Sequence, residues 1–236
     1  KAWLVLDGYT GLSDITIDAA ARKITGYVSN NKNNDGALIK SYFELQFDQP
    51  LLSYGTWNTQ SNQPAAGASY TNGKQVGVYL EFKLGAVVQV KTASSYISPK
   101  QAAVTLKAEL GSHRSFEDTK LAAAAVWNKH LSRILVEGGS EADKATFYSC
   151  FFRASLFSRM FYEIDENGKA YYFSPYDHKV HEGYMFTDTG FWDTFRAQFP
   201  LNALLYPEMH GRYMQALLAA KQQCGWLPSW SFPGEG

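Results

Sequence analysis

Four residues within one short stretch, Trp192, Asp193, Thr194 and Arg196, bring together an indole, a carboxylate, a hydroxyl and a guanidinium. If the stretch is helical, side chains three or four apart share a face. Asp193 can then pair with Arg196, and Trp192 lies beside Arg196. That set suits a sugar: an aromatic plate stacks on the weakly polar C–H face of a pyranose, while the charged groups bind vicinal hydroxyls. It equally suits a buried Asp–Arg pair that ties a helix into a core, with Trp192 as packing. Trp230, in the run GWLPSWSFPG, is a loop aromatic of the kind that lines a pocket, or plugs the end of a barrel. Trp226 shares that loop. Trp127 falls in an apolar helix and reads as core. Trp57 follows a strand and reaches either a binding face or the core.

Glycosidic cleavage takes two flanking carboxyl groups, about 6.5–9.5 Å apart when the anomeric carbon is inverted and about 5–5.5 Å when it is retained. The loop and cap acids are Asp177, Glu182, Asp188, Asp193 and Glu235, and no pair among them stands out as acid and base. Asp188 precedes the predicted helix and reads as its cap. His178 and His181 form H-x-x-H with Asp177 and Glu182 adjacent, a spacing as consistent with an exposed polar loop as with a metal site. There is no H-E-x-x-H and no G-x-S-x-G, so zinc-peptidase and nucleophile-elbow chemistry find no support.

The elements that must position these residues divide near Ser98. Before it, short segments of β character (Trp3–Leu6, Ile15–Ile17, Ile24–Val28) alternate with turns. Phe43, Leu45 and Phe47, and then Val78, Leu80, Phe82 and Leu84, recur at period two, the mark of half-buried strands. Gly85 turns the chain into Val87–Val90, and Asn30–Gly36 is a polar loop. Short strands joined by polar loops predict an antiparallel sandwich. From Ser98 the period is helical. Ser98–Pro99 opens a helix and Gly111 closes it. Ser115-x-x-Asp118 and Ser140-x-x-Asp143 are capping boxes. The first leads into one helix running to Gly138–Gly139. The second leads into KATFYSCFFRASLFSRMFY, apolar on several faces and so expected among other helices. A tyrosine-rich loop follows. Then come the stretch around Trp192, broken or kinked at Pro200, and a helix from Pro207 to Cys224 with Met209, Tyr213, Ala216, Leu217, Ala220 and Cys224 on its apolar stripe.

Twenty-two basic residues balance 22 acidic ones with no basic stretch, which excludes a broad nucleic-acid footprint. No apolar run approaches the ~18 residues of a membrane span. Aromatic content of 15% suits carbohydrate handling and a packed sandwich alike. Cys150 and Cys224 have no metal spacing and read as one disulfide or two buried thiols. Lys1 enters a strand directly and the chain stops in a loop, so both ends read as lying inside a larger protein. Oligomeric state is not legible.

HEGYMFTDTGFWDTFRAQFPLNALLYP, followed at a helix length by GWLPSWSFPG, resembles the catalytic-domain entry of glycoside hydrolase family 92, the exo-acting α-mannosidases. YISPKQAAVTLKAEL resembles that family's linker helix, VWNKHLSRILVEGGSEADKATFYSCFFRASL its linker-to-barrel passage, and IKSYFELQFDQPLLSYGTW its sandwich. The resemblance implies an α+β chain of three parts. Residues 1–97 form a β-sandwich lacking its first strands, 98–139 are linker helices, and 140–236 are the first part of an (α/α)6 barrel. It implies inverting removal of terminal α-mannose from glycans, periplasmic or secreted. It also implies a Ca2+ cofactor whose ligands, like the catalytic acid and base, fall mostly beyond Gly236. On this likeness Trp192, Asp193, Arg196 and Trp230 bind substrate, no catalytic or metal residue is named, and the 236 residues alone are inactive. Another sandwich-plus-toroid enzyme, such as a disaccharide phosphorylase, and a non-catalytic glycan-binding protein are the alternatives.

Overall fold

The structure is a computed structural model that describes residues 2–8, 11–29, 39–61, 63–111 and 115–231. The expected loop Asn30–Gly36 and the acid Glu235 lie outside the described residues. The chain divides into two compact units: residues 1–113 with 164–168, and residues 114–163 with 169–236.

The first unit is the antiparallel sandwich. Its strands are β1 (Ala2–Asp7), β2 (Leu12–Asp18), β3 (Lys23–Ser29), β4 (Ser41–Phe47), β5 (Ser53–Asn58), β6 (Ala65–Ala66), β7 (Tyr70–Lys74), β8 (Val76–Phe82) and β9 (Val90–Ser95). One sheet has the order β1-β8-β5-β6, the other β7-β2-β3-β4-β9. Period two decides the core: Ile15, Ile17, Ile24 and Phe47 of the second sheet meet Val78, Leu80 and Phe82 of the first. The strand expected at Val87–Val90 instead begins at Val90 and runs through KTASS. Those polar residues hid it, because pairing with β4, rather than apolar pattern, is what defines it. Trp57 resolves to packing. It is half-buried in β5, its ring 2.5 Å from where a Cβ on Gly77 of the paired strand would sit.

At the end of β9 the Ser95 hydroxyl accepts the N–H groups of Ile97 and Ser98 and turns the chain into α1 (Pro99–Leu110). Ser98 caps this helix as expected, accepting from Gln101 N at 3.1 Å. α1 lies on β9 and β4 with Ala102 and Leu106 buried. Gln101 donates to Ile164 O at 2.7 Å and so holds the 164–168 turn in the same unit.

The second unit holds α2 (Phe116–Leu131), α3 (Glu141–Ala154), β10 (Arg159–Met160), β11 (Glu163–Ile164, ending in the first unit), β12 (Ala170–Phe173), β13 (Val180–Glu182), β14 (Phe186–Thr187), β15 (Thr189–Gly190), α4 (Phe191–Thr194), α5 (Gln198–Leu205), α6 (Pro207–Cys224) and β16 (Trp230–Ser231). Both capping boxes form at the serines expected. Two helices are shorter than their patterns. α2 stops at Leu131, not before Gly138, because Tyr148 takes over the backbone beyond it: its hydroxyl donates to Ile134 O at 2.9 Å and accepts Val136 N. α3 stops at Ala154, where the Ser155 hydroxyl turns back to Phe151 O and Gln198 donates to the Ala154 carbonyl. α3 is not enclosed on all faces, since Phe151 is its buried residue. Neither cysteine is buried and they are not joined: Cys150 is exposed on α3, and Cys224 is half-buried at the end of α6. α6 runs as expected from Pro207 to the left-handed Gly225, with Tyr213, Ala216 and Ala220 buried.

Candidate functional site

The sequence around Trp192 does not make one helix. α4 is four residues long, Ala197 departs from helical geometry, and α5 begins at Gln198. Pro200 therefore falls in the first turn of α5, where its missing N–H costs nothing. It neither kinks nor breaks that helix.

The local frame is a pair of short strands. Asp188, at φ 59°, separates β14 from β15. β15 pairs with β16, Thr189 opposite Ser231 and Gly190 opposite Trp230. Asp188 N donates to Ser231 O at 2.7 Å and Phe191 N to Ser229 O at 2.9 Å. Asp188 is not the helix cap. Gly190 occupies that position without a side-chain bond, and the Asp188 carboxylate sits 2.7 Å from Arg159 Nε of β10. The carboxylate is thus engaged with β10 rather than with the start of α4. Beneath α4, Phe191, Phe199 and Tyr213 make edge contacts with centroids 5.7 and 5.1 Å apart, and Phe186 adds another against Tyr213.

Within this frame the expected site residues part company. Gly190 is the seat of two of them: a Cβ there would lie 2.5 Å from Trp230 Cε3 and 2.7 Å from Asp193 Oδ2. The indole and the carboxylate are thus side by side over a residue with no side chain, and both are exposed. Trp192, 81% exposed, turns elsewhere and lines an apolar hollow of about 430 Å³ with Phe191, Phe195, Leu217, Leu227 and Pro228. Arg196 lies with its guanidinium 5.3 Å from the Phe195 ring. The expected Asp193–Arg196 pair does not form among the described residues, because a four-residue helix ends before it can bring position 196 onto the face of position 193.

The tyrosine-rich segment is a hairpin rather than a loop. β12 and β13 pair Tyr172 with His181 and Phe173 with Val180. His181 Nε2 reaches both Asp177 oxygens at 3.0 and 2.9 Å. Partial burial alone would raise the Asp177 carboxyl pKa; the Lys179 amide and His181 outweigh it and hold it below the ordinary value. His178 packs against Phe173. These two histidines do not join a metal-binding group: among the described residues no three His, Cys, Asp or Glu side chains gather where they could hold an ion.

The hairpin reaches the frame through side chains whose importance no spacing rule revealed. Ser174 donates to Gln223 of α6 at 2.7 Å, Gln223 donates to Tyr172 at 2.6 Å, and Tyr176 shares a 3.1 Å hydrogen bond with Ser231.

A model of the glycosyl hydrolase family 92 catalytic domain matches residues 101–236, and one of that family's N-terminal domain matches residues 3–95. The chain belongs to glycosyl hydrolase family 92. Among solved family 92 structures, it is similar to an inverting mannosidase from Bacteroides thetaiotaomicron VPI-5482, with 39% identity, a TM-score of 0.93, and coverage of 99% of this chain and 32% of that one. An α-mannosidase of family 92 from Bacteroides thetaiotaomicron matches at 21% identity and a TM-score of 0.83, with the same coverage. A structure of that protein has also been solved with mannoimidazole. The family 92 hydrolase ccman5 matches at 21% identity and a TM-score of 0.76, over 94% of this chain and 30% of that one. The chain thus spans about a third of the length of these family 92 relatives. A search of curated proteins finds no match. The expected sandwich followed by helices is the family 92 fold. The calcium ion that family 92 implies finds no side-chain cluster to hold it among the described residues. No helix among the described residues is long and apolar enough to cross a membrane.

Proposed function

We propose that this chain serves in an exo-acting α-mannosidase that removes terminal α-linked mannose from glycans with inversion at the anomeric carbon. Membership of family 92 and the 39% identity to an inverting mannosidase support the reaction class. The observation that carries the site is the exposed pair of Trp230 and Asp193 over Gly190. An indole face accepts the C–H side of a pyranose, and a carboxylate accepts hydrogen bonds from vicinal hydroxyls. In this reading Trp230 is the plate and Asp193 the hydroxyl acceptor. Arg196 and Trp192 stand apart from this pair, Trp192 in the hollow it lines with Phe191 and Phe195 and Arg196 over the Phe195 ring, and in this reading they contact the substrate from there. None of the four moves a proton. Inversion requires an acid and a base about 6.5–9.5 Å apart, and the proposal assigns both to parts of the protein outside these residues. Calcium dependence and periplasmic or secreted action belong to the same proposal.

The test is turnover of α-mannobiosides by the protein at the length of its family relatives, with the first-formed anomer followed by NMR. Release of β-mannose supports the reading, and release of α-mannose, or strict need for phosphate, overturns it. Chelation is expected to abolish turnover and added Ca2+ to restore it. Asp193→Ala is expected to weaken mannose binding at least ten-fold, as loss of a charge-assisted hydrogen bond does.

A further inference from the structure

Trp230 sits on a strand two residues long, and strands that short are not held by their ladder alone. The backbone bonds that flank it, Asp188 N to Ser231 O and Phe191 N to Ser229 O, come from one side, the β15 side. The side chain of Ser231, which is 2% exposed, ties β16 to other elements as well. Its hydroxyl donates to Phe186 O at 3.2 Å. With that proton committed, the 3.1 Å contact to Tyr176 must run the other way, the phenol donating and the serine accepting. Burial pushes the Tyr176 phenol above its ordinary pKa, with the Ser231 bond pulling it back, so the phenol keeps its proton at neutral pH. Tyr176 is itself firmly based. Its amide bonds the Ser174 hydroxyl at 3.0 Å, and Ser174 is tied to Gln223 of α6. Against the plate stands Gly190, where any side chain would occupy the place of the indole.

We propose that Tyr176 is a positioning residue for sugar recognition: through the buried Ser231 hydroxyl it holds Trp230 against Gly190 and beside Asp193. The inference rests on Trp230 being the sugar plate. Tyr176 does not touch the sugar in this arrangement. It sets where the plate stands, so its removal weakens substrate binding and leaves the chemical step alone.

A double-mutant cycle in the protein at the length of its relatives tests this, with KM and kcat on an α-mannobioside and melting temperature read for each variant. Trp230→Ala is expected to raise KM about ten-fold or more. Tyr176→Phe keeps the ring and deletes the hydroxyl; it is expected to raise KM about three- to ten-fold with kcat within a factor of two, the size of effect one hydrogen bond supports. In the Trp230→Ala background, Tyr176→Phe is expected to add almost nothing, because the group it positions is gone. Three results overturn the inference. Tyr176→Phe at wild-type KM, with or without a lower melting temperature, makes its role merely structural. An equal rise in KM in both backgrounds makes Tyr176 act independently of Trp230. Wild-type KM in Trp230→Ala itself removes the plate from the sugar site and takes the inference with it, whereas either of the first two leaves that reading standing.

Discussion

Gly26 and Gly211 are alike in the sequence and opposite in their surroundings. Gly26 lies in β3 opposite Ile15, and a Cβ there would overlap the Asp14 carbonyl oxygen. That atom is backbone in a paired strand and cannot swing aside. Gly26→Ala is therefore expected to destabilise the chain by about 1–3 kcal/mol, the usual range for overpacking. Gly211 lies inside α6 with nothing within 4 Å of an added Cβ and a φ that any residue adopts. Gly211→Ala is expected to stabilise by about 0.4–1 kcal/mol, since alanine loses less conformational freedom on entering a helix. Urea denaturation of the two variants checks both signs at once. Opposite shifts in the midpoint with an unchanged slope are the expected pair, and a loss in Gly211→Ala would mean that this face of α6 is covered.

At the scale of elements, His130 shows how α2 is fastened. Near the C-terminus of that helix its ring stacks on Tyr206 with centroids 4.3 Å apart, and its Nε2 lies 2.8 Å from the Ser155 hydroxyl just beyond α3. Tyr206 in turn donates to the His130 carbonyl at 2.9 Å. Burial, and then the positive charge of Arg133, hold the His130 imidazole below its ordinary pKa. The folded state therefore prefers the neutral ring. Above ~6.5, the unfolded value, neither state is protonated and this contribution is whole. As pH falls below that value the unfolded chain binds the proton first, so stability declines until the pH passes the depressed folded pKa. Melting temperature is expected to fall between pH 7.5 and 5 in the wild type, and to fall less steeply in His130→Gln. Parallel slopes would assign the acid sensitivity to other groups.

The same elements show what the sequence could and could not tell. Ser98, Ser115 and Ser140 were legible as caps because an N-cap is chemistry between neighbours in sequence, and all three form. The sandwich core was legible because inward residues recur at period two. The ends of α2 and α3 were not, since Tyr148, Ser155 and Gln198 act there by bonding backbone that would otherwise continue the helix. At the site, Trp192, Asp193, Arg196 and Trp230 were legible as residue types, but not as a geometry. The break at Ala197 separates Arg196 from Asp193, and the pairing of Gly190 with Trp230 joins segments 40 residues apart. Tyr176 gave no signal at all, because its partner Ser231 lies 55 residues away and no spacing rule links the two.

For the whole molecule the decisive quantity is apolar surface. α2 has no buried residue, and Phe116, Leu121 and Val126 on it are each about two-thirds exposed. Trp192, Leu204, Trp226 and Leu227 add further exposed apolar area in the same unit. Surface of that kind is either covered or adhesive in water, since burying it gains about 25 cal/mol per Å². The 236 residues by themselves are therefore expected to bind a hydrophobic dye and to self-associate as concentration rises. A form extended past Gly236 to the length of the family relatives is expected to bind several-fold less dye per chain and to stay dispersed. Dye fluorescence and static light scattering measure both. The same two proteins separate recognition from chemistry. If the acid and base lie outside these residues, the extended form turns over an α-mannobioside and the 236-residue chain does not, whether or not it binds mannose. Equal turnover by the two would place a complete catalytic pair within this chain and would return Asp177, Glu182 and Asp188 to consideration as its members.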